Sequence, residues 1–143
     1  MKKFVLLALI VLTLFGCSDD DNNNTSTDTI EPKAYKIQFW GYSSSEVQYP
    51  LTVTYYKDNQ QGVLSSELVS SQTNTDVIET RTLTSYDKLG FKLAVGNSGQ
   101  ATINTVIITD METNEVILDN SDLEVNTGQT FMYDVSDDNY TIQ

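Results

Sequence analysis

From Tyr35 onward the chain alternates apolar and polar residues with a period of two, the pattern of strands that bury one face. Tyr35, Ile37 and Phe39 alternate with Lys36 and Gln38, and Val47, Tyr49, Leu51, Val53 and Tyr55 form the longest such series. It closes at Asp58-Asn59-Gln60-Gln61-Gly62, a turn signal. A weaker strand is predicted over Val63 to Val69 and another over Val77 to Leu83. Phe91, Leu93 and Val95 follow, ended by Gly96-Asn97-Ser98-Gly99. Ile103 to Thr109 is apolar on both faces, which predicts a central strand. Glu112-Thr113-Asn114 turns the chain into Val116-Ile117-Leu118. Phe131, Tyr133 and Val135 make the last full strand, with Tyr140 and Ile142 adding an edge. No 11-residue window carries a 3.6 period and nothing repeats at a fixed interval. Seven to nine short strands with frequent turns predict an all-β fold, an antiparallel β-sandwich, as one domain over residues 34–143.

The first residues follow a different rule. Lys2 and Lys3 precede an apolar run, Phe4 to Phe15, broken only by Thr13. As a helix it spans about 18 Å at 1.5 Å per residue, short of the roughly 30 Å of a hydrocarbon core. It fits the charged and apolar regions of a signal peptide over residues 1–16. Leu14-Phe15-Gly16-Cys17 resembles the bacterial lipobox, with Phe15 larger than the residue usual there. That resemblance implies cleavage between Gly16 and Cys17 and a diacylglycerol thioether plus an N-acyl chain on Cys17. Two or more acyl chains give stable anchoring, at about 0.8 kcal/mol per buried methylene. Residues 17–33 read as a disordered acidic tether with almost nothing apolar to bury. Ser18-Asp19-Asp20-Asp21 resembles the surface-export signal of Bacteroidota lipoproteins, which implies an outer-membrane, cell-surface location. A plain solvated spacer is the other reading. Asp28-Thr29-Ile30 resembles the O-glycosylation sequon of the same bacteria, with Thr29 as acceptor.

Composition narrows the functions. The formal charge is −12, and loss of Lys2 and Lys3 leaves 6 basic residues against 20 acidic ones. Such a chain has no basic stripe for phosphates, which argues against a nucleic-acid partner. With no His and one Cys, triad hydrolysis and His/Cys zinc sites lack their parts, and no disulfide can form within the chain. Asp and Glu fall in turns and on outward positions, so carboxylate catalysis is the least favoured class. No cofactor is expected, and the protein reads as a non-enzyme.

The order of features in the domain carries a second resemblance. A strand ending Phe39-Trp40-Gly41-Tyr42 is followed by Val47 to Tyr55, a Gly turn, and Arg81-Thr82-Leu83. Then come Phe91 to Val95, Gly96 to Gly99, and Ile103 to Asp110 leading into a hairpin. This order resembles the immunoglobulin-like extracytoplasmic domain of mycobacterial small membrane proteins that accompany lipid transporters, over about Tyr35 to Val135. It implies an immunoglobulin-like sandwich and an accessory role in transport. The chain departs from that family in having no disulfide pair and a lipid anchor in place of a membrane helix.

Two sets of residues are candidates for binding. Asp119 and Asp122 crowd one loop, and Asp137 and Asp138 another; calcium takes oxygens of this kind, while hairpin tips favour Asp for turn geometry alone. Trp40, Tyr42 and Tyr56 fall on the polar side of their strands, where they would suit a sugar or a protein partner. The ordinary alternative, and the expected one, is that Trp40 sits where the register breaks and folds its ring inward. The overall expectation is a membrane-anchored module for protein or glycan contact, with a structural, shielding lipoprotein as the alternative.

Overall fold

The alternation of β1, Lys33–Ser43, decides where the core lies: Tyr35, Ile37 and Phe39 are buried while Lys36, Gln38 and Trp40 are not. A computed structural model describes residues 30–43, 51–72, 76–95 and 100–143. The signal segment, Gly16, Cys17, Ser18 to Asp21 and Thr29 lie outside the described residues, as do Val47, Tyr49 and the turn at Gly96 to Gly99.

The strands after β1 are β2 Leu51–Gln60, β3 Val63–Gln72, β4 Asp76–Ser85, β5 Lys88–Val95, β6 Ala101–Asp110, β7 Val116–Asn120, β8 Val125–Asn126, β9 Thr130–Asp134 and β10 Asn139–Ile142. They form two antiparallel sheets stacked as a sandwich. The first runs β4-β1-β6-β7, with β8 also on β6; the second runs β10-β9-β5-β2-β3. β6 is central, as its sequence predicts, although Ile107 turns outward while Ile103, Val106 and Ile108 are buried.

Aromatic rings bind the two sheets together. Phe39 of the first sheet stacks on Phe91 of the second at 4.2 Å, Phe91 lies 5.3 Å from Phe131, and Phe131 lies 5.7 Å from Tyr140. Around this seam pack Ile37, Val53, Leu83, Leu89, Leu93, Ile103 and Ile108. Along the β7/β10 side, hydrogen bonds add ties. The Tyr133 hydroxyl lies 3.0 Å from the Ile117 carbonyl and 2.8 Å from Asp138 Oδ1. Asn120 Nδ2 donates to the Tyr140 hydroxyl at 3.2 Å.

Where β4 crosses between sheets to become β5, a buried carboxylate holds the corner. Asp58 of β2 accepts from the Ser85 hydroxyl, from the Tyr86 amide at 2.8 Å and from the Asp87 amide at 3.2 Å. Its own amide donates to Ser85 Oγ at 2.9 Å. Asp58 is 1 % exposed, so these partners replace the water it has lost.

The β6–β7 turn uses Asp110 in a similar way. Its Oδ1 accepts from the amides of Glu112 (2.8 Å) and Thr113 (3.2 Å), and Lys33 Nζ stands 3.7 Å from Oδ2. Asn114 completes the turn at φ 59°, a left-handed conformation that Asn tolerates. Burial pushes the Asp110 carboxyl up, but the two amides and Lys33 outweigh it and hold it below the usual carboxylate range. A group depressed in the folded state contributes its stability in full above its unfolded value, about 3.9, and loses it as pH falls through the folded one. Asp110→Asn is therefore expected to flatten the fall in urea midpoint below about pH 4. An acid limb as steep as that of the parent chain would refute the assignment.

Candidate functional site

On β1 the residues between the buried ones are Gln38, Trp40 and Tyr42, and they reach the outer face of the first sheet. The strand registers place neighbours on both sides. Trp40 lies between Ile78 of β4 and Thr105 of β6, Gln38 between Thr80 and Ile107, and Tyr42 between Asp76 and Thr102. Tyr42 is 56 % exposed and Ile78 58 %. Gln38 Nε2 donates to Thr80 Oγ1 at 3.4 Å, fixing the amide beside the ring.

The register does break beside Trp40, between it and Gly41, but the expected inward fold of the ring does not follow. The extra residue belongs to β6, where Asn104 is passed over in the pairing and its carbonyl accepts instead from the Leu123 amide at 3.2 Å. Gly41 makes this possible. A Cβ there would lie 2.1 Å from the Thr102 carbonyl oxygen and 2.8 Å from Ile103 Cα, both backbone atoms. With no side chain at 41, β6 closes on β1, and Trp40 and Tyr42 keep the same outer side. A bulge of this kind also sharpens the local twist.

Tyr56 does not join them. It belongs to β2 in the second sheet, directly across from Gly90, which in turn pairs with Met132. A Cβ on Gly90 would meet the Phe131 carbonyl oxygen at 2.1 Å and Met132 Sδ at 2.7 Å, so the close pairing of β5 with β9 leaves no room for a side chain there. Beside this row lies a shallow polar hollow of about 280 Å³, lined by Lys88, Met132, Asp134, Asn139, Thr141 and Gln143 among others. Lys88 Nζ and Asp134 Oδ2 are 3.2 Å apart within it. Burial pushes Asp134 up, but the Ser136 hydroxyl, Lys88 and the Asp137 amide together hold it below the usual range.

Of the acidic loop residues, Asp122 and Asp137 enter their turns through their backbone amides. Asn120 Oδ1 accepts from the Asp122 amide at 2.9 Å, and Asp134 Oδ1 from the Asp137 amide at 3.3 Å. Asp138 takes φ 48° and accepts from Tyr133, whose hydroxyl is pushed well up by burial and by that carboxylate. Asp119 is exposed on β7, across from Ile107. Among the described residues no three carboxylates converge as metal ligands would.

Searches against protein-family models, curated proteins and solved structures gave no match.

Sequence pattern alone passes over Ile78, Thr80 and Thr105 as neighbours of Trp40. The alternation of β4 shows Ile78 and Thr80 on one side, but only the β1–β4 register places them beside the aromatic residues. Inward-facing Glu79 and Arg81 occupy the opposite side of the same edge strand. There the Tyr55 hydroxyl donates to Glu79 at 3.5 Å and is raised by burial and by that carboxylate, against Arg81. Charges placed on the inner side of an edge discourage pairing with stray strands.

Proposed function

We propose that this chain is a non-enzymatic, lipid-anchored protein of the bacterial outer membrane, displayed at the cell surface, whose β-sandwich makes contact with a protein or glycan. The anchor is Cys17, after cleavage behind Gly16, and Ser18 to Asp21 direct export. The observation that carries the contact role is the outer face of the first sheet. Trp40, Tyr42 and Ile78 stand together there, with Thr80 and Thr105 beside them and Asp76 registered opposite Tyr42. Exposed aromatic groups of this kind are characteristic of binding surfaces.

We also read the sandwich as immunoglobulin-like. Successive strands β1 and β2 lie in opposite sheets, and β4 and β5 return beside β1 and β2 in the same order. A subunit accessory to an envelope complex is one form of this role. The acidic surplus favours a second reading, a shielding lipoprotein with no specific ligand.

Photo-crosslinking from position 80, beside Trp40, on intact cells separates the two. A discrete adduct that disappears in the Trp40→Ala, Tyr42→Ala double variant is expected. A reproducible lack of any adduct favours shielding. In the same cells Cys17→Ser is expected to abolish acyl-chain labelling and release the protein from the outer-membrane fraction; unchanged labelling would refute the anchor.

A further inference from the structure

Ile30, Val63, Leu64, Met111 and Val116 are exposed, and all five lie at the end of the sandwich where the chain enters β1. Registers and hydrogen bonds set their level. Leu64 pairs with Asp58, whose amide donates to Ser85 Oγ, and Ser85 pairs with Lys33 at the start of β1. The Met111 amide donates to the Ala34 carbonyl at 2.9 Å. Ile30 comes three residues ahead of Lys33, within about 10 Å of it. Val116 stands further in, across from Thr109.

The spacing of these side chains sorts possible occupants. The Tyr55 bond to Glu79 sets β4 over β2, and the Tyr133 bond to Ile117 sets β7 over β9. β3, beyond β2, and the β6–β7 turn are therefore at diagonal corners of this end. At about 4.8 Å per strand and about 10 Å between sheets, Leu64 and Met111 are on the order of 20 Å apart. A protein interface of ordinary strength closes over one continuous apolar centre, which tips this far apart do not offer. A flat surface meets them together.

The chain itself points to which flat surface. Ile30 is thirteen residues on from Cys17, at most about 45 Å of extended chain. Lipid on that cysteine keeps this end of the domain, and no other, next to a bilayer. Charge narrows the choice of lipid. Glu31, Glu112, Glu115, Asp137 and Asp138 are exposed at the same end, against the exposed Lys33 and Lys88. An anionic headgroup layer repels such an end, whereas a zwitterionic one does not.

We infer that the entry end of the sandwich rests on a zwitterionic lipid surface, with Ile30, Val63, Leu64 and Met111 dipping among the headgroups. This inference rests on the lipid anchor proposed at Cys17. It stands β1 upright on the membrane, with Trp40 and Tyr42 about 25 Å along the strand from Lys33 and clear of the lipid.

The full lipidated chain would be reconstituted in phosphatidylcholine vesicles with a nitroxide on one new cysteine, Cys17 being blocked by its acyl groups. Leu64→Cys and Met111→Cys report on the contact, and Ile78→Cys on the first sheet is the control. Labels at 64 and 111 are expected to collide several-fold more with oxygen than with a water-soluble nickel chelate, and the label at 78 to do the reverse. Val63→Ser with Leu64→Ser is expected to return the 111 label toward water, with circular dichroism checking that the chain is folded. In phosphatidylglycerol vesicles at low salt both reporting labels are expected to be water-exposed.

Water-like labels at 64 and 111 on phosphatidylcholine, with the chain still held on the vesicles, would overturn the inference and leave the anchor standing. Equal immersion in phosphatidylglycerol would overturn the choice of a zwitterionic surface, and the inference with it. A lipidated chain that washes off the vesicles refutes the anchor itself.

Discussion

Replacing Phe91 by alanine is expected to lower the unfolding free energy by about 3–5 kcal/mol. Phe91 is fully buried on β5 and is one of the rings through which the two sheets touch, stacked on Phe39 at 4.2 Å and 5.3 Å from Phe131. Its removal loses the transfer energy of a whole ring. It also leaves a void between neighbours fixed to different sheets, which limits how far the site can collapse. Domains of ordinary size have only about 5–15 kcal/mol in total, so the variant falls close to the limit of folding. A urea titration checks this: the midpoint should drop sharply with little change in slope. A loss under about 1 kcal/mol would mean that the sheets close the gap, and that the seam is not what holds them.

Asp58→Ala is expected to cost about 2–3 kcal/mol, because the part-buried Tyr86 and Asp87 amides lose their acceptor when it is gone. The Tyr86 and Asp87 amides end on this one carboxylate, and the Ser85 hydroxyl is shared between it and the Lys88 carbonyl. Asp58→Asn is the informative companion. It keeps an acceptor for Tyr86 and Ser85 but turns an amide group toward the Asp87 N–H, so about half the loss should return. Two variants of equal stability would show that the acceptor at Oδ1 contributes nothing to the corner. Hydrogen exchange at Tyr86 and Asp87 reads the same effect locally, with protection lost in the alanine variant first.

Much of this fold is legible in the alternation of apolar residues, and what escapes does so for specific reasons. Tyr35, Ile37 and Phe39 announce both the strand and its buried side, since a period of two admits no other assignment. Asp58 does not. Its surroundings read as a turn, yet β2 runs on to Gln60 and the turn itself is only Gln61-Gly62, with Gly62 at φ 82°. The partners that bury Asp58 lie 27 to 29 residues away, beyond any local pattern. β8 is missed because it is two residues long, with Val125 its single buried side chain, and its pairing depends on where β6 bulges. For Trp40 the alternation is right about the side chain's direction and the expected break is right about the register. The break is absorbed by β6 and Gly41, so the ring keeps its outward direction. Tyr56 shows the opposite limit. Alternation gives its direction on its own strand, but sheet membership is a tertiary fact.

β1 begins at Lys33 and carries Trp40 and Tyr42 toward its far end, with β4 and β6 hydrogen-bonded along its two sides. A pull on the chain ahead of Lys33, resisted by a ligand on those aromatics, therefore runs through the covalent backbone of a single strand. The two flanking ladders are loaded in shear along their length and not peeled open pair by pair, and β7 to β10 carry almost none of the tension. Were a partner held on that face by a chain tethered ahead of Lys33, its drag would be borne in this way without unfolding the domain.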